Sequence, residues 1–224
     1  MKFSSLFLAA SLLTLTAGCK SEIDNKTAAE VTETSTTMAT VTETAMTSTA
    51  PTPGALQSKV IKDASSIQWV GAKVTGDHKG KFNVFDGWIE YTTARPSRIA
   101  FDIDLNSTEA DVEKLTGHLK SPDFFDVAKY PKATFVSTSV TEAPAGTAGG
   151  ATHIVKGTLD LHGVQREVTI PVVTAVNADG VRTKSEFTIN RQDWGIAYKG
   201  KADDLIKDNV LIRLDLLFPP PPAA

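Results

Sequence analysis

Alternation of apolar and polar side chains is the feature that most constrains the fold of this chain. Ile99, Phe101, Ile103 and Leu105 alternate with polar or small residues, and the pattern returns over residues 210–218. Successive side chains of a β-strand point to opposite faces, so a period of two predicts a half-buried strand in both stretches. The chain is therefore expected to build an all-β domain around one apolar interior.

The same criteria predict eight strands, several of them joined by short turns. They cover residues 67–72, 82–91, 99–106, 132–141, 154–161, 166–175, 181–189 and 210–218. A helix is predicted at 108–120, because Thr108 can cap it while Val112, Leu115 and Leu119 share one face. Sequential antiparallel strands with one apolar face favour an up-and-down barrel, which has no exposed edge.

A barrel of eight strands is either filled by its own side chains or holds one small ligand. Parity along the strands predicts that these residues face inward: Trp69, Phe101, Ile103, Val155, Leu159, Leu161, Val168, Ile170, Phe187, Ile189, Ile212, Leu214 and Leu216. Gly71 and Gly157 share that face, where a glycine either leaves space or allows close packing.

Residues 121–131, between the helix and the fourth strand, are unusually apolar for a loop. Phe124, Phe125 and Tyr130 are expected either to act as a lid at one end of the bore or to pack under the helix and seal the barrel. Adjacent residues point apart in an extended chain, so only one of the two phenylalanines is expected to face a ligand.

The N-terminus predicts export and a lipid anchor. A short apolar core after Lys2 is typical of a signal peptide, here assigned to residues 1–18. The Leu-Thr-Ala-Gly-Cys run at 15–19 resembles a bacterial lipobox, which would make Cys19 the acylated residue, carrying chains such as palmitate. Several acyl chains suffice for stable membrane anchoring, and Lys20 favours the outer membrane by resemblance to Gram-negative lipoproteins. An ordinary secretory signal with a chance cysteine is the alternative.

The segment after the cysteine differs in composition from the rest of the chain. Residues 19–57 are rich in Thr, Ala, Ser and Glu and contain no aromatic residue. Such a segment predicts a disordered tether with a reach of roughly 35 Å. Residues 58–218 are assigned to the barrel domain and 219–224 to a proline-rich tail.

Composition and motifs exclude several classes of function. A formal net charge of −3 without a basic stripe gives no support for nucleic-acid binding. One cysteine excludes an internal disulfide and a multi-cysteine metal site. The four histidines lack metal-ligand spacing, and there is no nucleophile elbow or phosphate loop. We therefore predict no catalytic residue, no metal and no cofactor.

Arg191 ends the seventh predicted strand and by parity shares the face of Phe187 and Ile189. A guanidinium at the end of the bore could bind an anionic head group whose tail lies inside. The alternative is a structural role, either pairing with Asp193 or bonding to the carbonyls of the turn.

Four segments together resemble the YceI-like family of bacterial periplasmic lipid-binding proteins. They are 76–82 with Gly87, 119–126 with 130–135, 157–164, and 190–196. The resemblance spans nearly all of 58–218 and implies an eight-stranded, antiparallel, lipocalin-like barrel that binds long apolar chains such as polyisoprenoids or quinones. It also implies that a homodimer can form. The lipobox, the long tether and an enlarged 141–150 loop depart from the usual soluble form.

The chain is therefore expected to sequester or transport a long-chain amphiphilic lipid (polyisoprenoid, quinone-like or fatty-acyl) in the periplasm, without catalysis. The predicted ligand-binding residues are Trp69, Phe101, Ile103, Phe124, Phe125, Tyr130, Phe135, Leu159, Phe187, Ile189, Arg191, Trp194, Ile212 and Leu214. Two alternatives remain open: an enzyme acting on isoprenoid lipids, with His78, His118 or His162 as base, and a ligand-free envelope scaffold or stress protein.

Overall fold

The computed structural model describes residues 21–33, 50–92 and 95–221. They form one curled sheet of 13 strands and one short α-helix. The elements are β1 Glu30–Glu33, β2 Leu56–Lys59, β3 Ser66–Lys73, β4 Gly76–Phe82, β5 Phe85–Thr92, β6 Arg95–Asp104, β7 Thr108–Ala110, α1 Glu113–Leu119, β8 Lys132–Glu142, β9 His153–Leu161, β10 Val164–Asn177, β11 Gly180–Asn190, β12 Gly200–Lys201 and β13 Asp204–Phe218. Within these residues, no helix has the length and apolar character needed to span a bilayer.

The sheet closes into an antiparallel, lipocalin-like barrel because two pairs of strands are continuous in the chain. Its order is β2-β5-β6-β8-β9-β10-β11-β13-β3-β4-β7. β4 runs into β5 and β6 runs into β7, while β4 pairs with β7 and β5 with β6. The Asn83 amide donates to the Ser107 carbonyl at 3.2 Å and the Asp104 amide to that of Val84 at 3.0 Å. Hydrogen bonding therefore continues across both bends.

The predicted all-β barrel is confirmed, whereas the observed number of strands is larger. If β4 with β5 and β6 with β7 count as single bent strands, they join β3, β8, β9, β10, β11 and β13 in a circuit of eight. The prediction missed β4, because Gly76 at its start and Gly80 within it are typical of a turn. It also began the helix too early, because Thr108 is buried in β7, where it pairs with Phe82 of β4, and α1 begins only at Glu113.

Aromatic rings inside the barrel lie against glycines of neighbouring strands. A Cβ added to Gly80 would lie 2.2 Å from the Trp69 ring, and one added to Gly157 would lie 2.6 Å from the Phe135 ring. These glycines therefore allow close packing, and Gly157 leaves no space. Gly71 differs, because a Cβ there would meet only the Trp69 ring, at an ordinary contact distance of 3.9 Å.

Residues 21–33, predicted to begin a disordered tether, instead pack against the barrel. Ile23 is 5% exposed and joins Leu211 in a small apolar cluster on the outside of the wall. The Ser21 hydroxyl donates to Asp77 at 2.7 Å. The prediction of disorder is wrong for these residues because the tertiary contacts of a few side chains outweigh their polar composition.

This N-terminal segment fills a gap between β10 and β11. Among the described residues, β10 pairs with β11 only over 173–177, and Pro171 just before that stretch has no N–H to donate. Beyond that point the Ala29 amide donates to the Thr188 carbonyl at 2.8 Å, and β1 pairs with residues 166–169 of β10. The segment therefore completes the barrel wall.

Other parts of the predicted leader and tether are described only partly. Residues 1–20, with the predicted signal peptide and Cys19, and residues 34–49 lie outside the described residues. Leu56 and Gln57 belong to β2, which pairs with β5. The ordered barrel therefore begins slightly before the predicted boundary at residue 58.

Candidate functional site

A cavity of about 470 Å³ occupies the barrel interior, and its wall is almost entirely apolar. All of the apolar residues predicted to face inward line it, so that prediction is confirmed. It succeeded because alternate residues of a strand face the same side. The volume lies within the range of about 300–1,000 Å³ that is usual for small-molecule sites.

One end of the cavity is closed by a second apolar cluster. Its buried members are Val60, Ile67, Phe85, Ile89, Tyr91, Phe101, Val181, Leu216 and Phe218. Phe101 and Phe218 meet edge to face, with ring centroids 6.2 Å apart. A ligand is therefore expected to enter from the opposite end.

The opposite end carries the charged side chains of the cavity and forms its mouth. Lys73, at the end of β3, pairs with Asp204, at the start of β13, at 2.6 Å. The hydrogen bond from Lys73 is the main reason that the pKa of Asp204 lies below its ordinary value. His78 Nδ1 lies 3.0 Å from Asp111, and Lys201 also lines the opening. The mouth is therefore polar where the bore is not.

An aromatic cluster narrows the mouth beside α1. His118 meets Phe124 and Tyr198 edge-on, with centroid distances of 5.0 Å in both pairs. Phe125 contacts Phe82 at 6.0 Å. Both phenylalanines line the cavity, so both are placed where a ligand could contact them, and the expectation that only one faces a ligand stays a prediction. The loop that carries them forms consecutive turns rather than an extended chain.

Arg191 is 4% exposed, and its guanidinium is held by the protein itself. Nε donates to the Lys207 carbonyl at 3.3 Å, Nη1 to the Ile196 carbonyl, and Nη2 to Asp208 at 3.2 Å. Burial lowers the pKa of Arg191, and the charge of Asp208 opposes that shift. These bonds support the structural alternative over a head-group contact.

We expect Arg191→Met to lower the free energy of unfolding by about 3 kcal/mol, because buried carbonyls lose their donors. Urea denaturation measures this value. Arg95→Met is the matched control, because the Arg95 side chain is 80% exposed and its loss should cost less than about 0.5 kcal/mol. Unchanged stability with lost lipid binding in Arg191→Met would favour the head-group role instead.

Tyr130 and Trp194 do not line the cavity, in contrast to the prediction. Trp194 is fully buried behind β9, and its Nε1 donates to the Leu159 carbonyl at 3.2 Å. Tyr130 packs on His162 with centroids 4.7 Å apart, beside Gly163. The Tyr130 ring therefore packs against the β9–β10 turn, and the Trp194 ring is bonded to β9. The other predicted ligand-binding residues line the cavity, and their contact with a ligand stays a prediction.

Trp69 brings a polar group into the bore that parity alone did not reveal. Its side chain lines the cavity, and its buried Nε1 has no hydrogen-bond partner among the described residues. A buried donor left unpaired costs about 1–3 kcal/mol. The nitrogen has almost no accessible surface, so this N–H would reach an acceptor oxygen of a ligand only after a shift of the indole ring.

The described residues contain no group of three His, Cys, Asp or Glu side chains that could hold a metal ion. His162 lies in the β9–β10 turn, where its Nδ1 is 3.2 Å from the Trp194 carbonyl. It is absent from the cavity wall. Of the predicted candidate bases, His78 and His118 are the two that reach the mouth.

Comparison with known proteins agrees with this architecture. A family model described as the YceI-like domain matches residues 59–218. UPF0312 proteins of Shewanella denitrificans and Pseudomonas putida are 32% and 34% identical over 148 and 144 residues. These matches cover 62% and 60% of this chain and 71% of each relative.

Solved structures show the same fold. BcnA of Burkholderia cenocepacia is 25% identical with a TM-score of 0.62, covering 70% of this chain and 98% of that one. A polyisoprenoid binding domain from Saccharophagus degradans, described as implicated in plant cell wall breakdown, is 22% identical with a TM-score of 0.59, covering 75% and 99%. Because the family model spans most of the sequence, this chain belongs to the YceI-like domain family.

Proposed function

We propose that this protein binds a long-chain amphiphilic lipid inside its barrel and carries or sequesters it without chemical change. The observation that best supports this proposal is the apolar cavity of about 470 Å³. The Saccharophagus degradans domain, described as polyisoprenoid binding, makes polyisoprenoids the first class to test, ahead of quinones and fatty-acyl lipids. A ligand-free scaffold would instead have a bore filled by side chains.

Burial of the lipid tail supplies most of the affinity. Removing about 500 Å² of apolar surface from water contributes roughly 12 kcal/mol before the costs of binding. This contribution is non-directional, so several lipids with similar tails are expected to bind. Discrimination between head groups then depends on Lys73 and Lys201 at the mouth and on the Trp69 N–H inside.

Native mass spectrometry of the protein purified from bacterial envelopes tests this proposal. We expect one long-chain lipid per chain, released when the protein unfolds. Protein stripped of lipid is then offered a polyprenyl phosphate, a long-chain quinone and a fatty acid to rank the classes. Stripped, folded protein that takes up none of them would overturn the proposed function.

We expect Trp69→Phe to weaken binding of oxygen-bearing lipids by about tenfold, because the ring remains while its N–H donor is lost. A hydrocarbon tail without an acceptor should bind about equally to both proteins. Competition in native mass spectrometry measures the two ratios. An equal loss for both ligands would show that Trp69 acts only through packing.

Anchoring in the cell envelope is part of the same proposal. Residues 1–18 act as a signal peptide, and acylated Cys19 holds the domain on the periplasmic face of a membrane, preferentially the outer one. The lipobox-like run at 15–19 supports this. Mass spectrometry of the N-terminal peptide should show acyl chains on Cys19, and Cys19→Ser should remove the protein from the membrane fraction. An unmodified Cys19 would overturn the anchor.

A second candidate function is an enzyme acting on isoprenoid lipids. It is favoured by one observation: His78 and His118 line the mouth, and each lies within 3.0 Å of a carboxylate, Asp111 and Asp123 respectively. Such a pair can accept a proton from a hydroxyl or a water. Incubation with a polyprenyl phosphate separates the two functions, because only an enzyme would form a product that His78→Gln or His118→Gln abolishes.

A further inference from the structure

Two exposed aliphatic side chains stand side by side at the mouth. Val74, in the β3–β4 turn, is 72% exposed, and Leu205, near the start of β13, is 50% exposed. The Val74 amide donates to the Leu205 carbonyl at 3.2 Å, which joins the two turns. We call Val74 and Leu205, together with Lys199 and Lys201, the mouth tip.

The mouth tip is contiguous with the opening of the cavity. Lys73 and Asp204, the immediate neighbours of Val74 and Leu205, line the cavity. Ile206 lines it on the other side of Leu205. A surface that contacts the mouth tip therefore lies next to the entrance to the bore.

The charge of the mouth tip is positive. Lys199 and Lys201 are exposed, and neither takes part in an ion pair within the described part of the chain. Asp204 is neutralised by Lys73 at 2.6 Å, which leaves Asp203 as the exposed carboxylate of this hairpin. Exposed aliphatic side chains beside lysines suit an interface whose surface is anionic and whose interior is apolar.

The N-terminal segment leads to the same place. The Ser21 hydroxyl and the Glu22 amide donate to Asp77 at 2.7 and 2.8 Å. Asp77 lies in β4, close to the turn that carries Val74. Two residues span at most about 7 Å, so an acyl group on Cys19 would enter the membrane near the mouth tip. A flexible tether of nearly forty residues would instead leave the barrel free to turn relative to the membrane.

We propose that the mouth tip docks on the surface of an anionic lipid bilayer, so that the barrel opens toward the membrane. This rests on the proposed function, in which the bore takes up a lipid. Val74 and Leu205 enter the interfacial layer, while Lys199 and Lys201 contact the head groups. A lipid can then pass between bilayer and bore without its tail crossing water.

Vesicle sedimentation tests the docking. The chain from residue 19 onward with Cys19→Ser keeps every described residue and lacks the acyl group. We expect it to bind vesicles of phosphatidylethanolamine with phosphatidylglycerol more tightly than phosphatidylcholine vesicles. Val74→Asp combined with Leu205→Asp should reduce the binding about tenfold. Val176→Asp is the matched control and should change it less than about twofold, because Val176 is also 72% exposed but lies at the closed end.

Native mass spectrometry without vesicles separates this proposal from the proposed function. Lipid in the bore of the double variant at the wild-type level, together with weakened vesicle binding, supports docking. Vesicle binding that the double substitution leaves unchanged overturns docking alone. Absence of lipid from the bore of every form overturns the proposed function. A dimer that the double substitution dissociates would assign the mouth tip to a second copy of the chain and overturn docking.

Discussion

Gly71→Phe is expected to reduce lipid retention roughly a hundredfold while the barrel stays folded. Gly71 lies on the inward face of β3, opposite His78 and near the mouth. A Cβ there would meet only the Trp69 ring, at 3.9 Å, so a side chain projects into the bore without straining the wall. A benzyl group takes the place of roughly four methylenes of a bound tail, at about 0.8 kcal/mol each.

The measurement is lipid occupancy by native mass spectrometry, with thermal unfolding as a check on folding. Gly117→Phe is the matched control, because Gly117 is an exposed residue of α1 whose added Cβ would meet nothing within 4 Å. It should retain lipid at the wild-type level. Full retention of lipid by a folded Gly71→Phe protein would show that the tail does not pass this point of the bore.

Strand parity explains why the lining of the bore was predictable from the sequence. In β13, Ile212, Leu214 and Leu216 face the cavity, while Arg213 and Asp215 between them form ion pairs on the outside. One slip of register would exchange the two sets, and the hydrophobic pattern forbids that. The apolar site could therefore be located without knowing how the strands are ordered.

Contacts between distant parts of the chain explain what the sequence did not reveal. The pairing of His78 with Asp111 and of Lys73 with Asp204 depends on how β4, β7 and β13 meet at the mouth. The ordered packing of residues 21–33 against the barrel likewise depends on a gap between β10 and β11. No local sequence pattern predicts this gap, because Pro171 is the only nearby residue whose chemistry disfavours strand pairing there.

We expect Ala29→Asp to lower the free energy of unfolding by about 3 kcal/mol, because it places a carboxylate in the main apolar core. Ala29 is 7% exposed and packs in one cluster with Ile170 and Phe187, which line the cavity. Urea denaturation measures the loss. Ala28→Asp is the matched control, since Ala28 is its exposed neighbour and should cost less than about 0.5 kcal/mol.

Hydrogen exchange shows whether the N-terminal segment has left the wall in Ala29→Asp. The Thr188 amide donates to the Thr27 carbonyl at 2.9 Å, so its exchange should accelerate when the segment detaches. Slow exchange of Thr188 with unchanged stability would contradict a role in the wall. Because the same segment connects Cys19 to the barrel, its detachment should both open the bore sideways between β10 and β11 and free the mouth from a fixed orientation at the membrane.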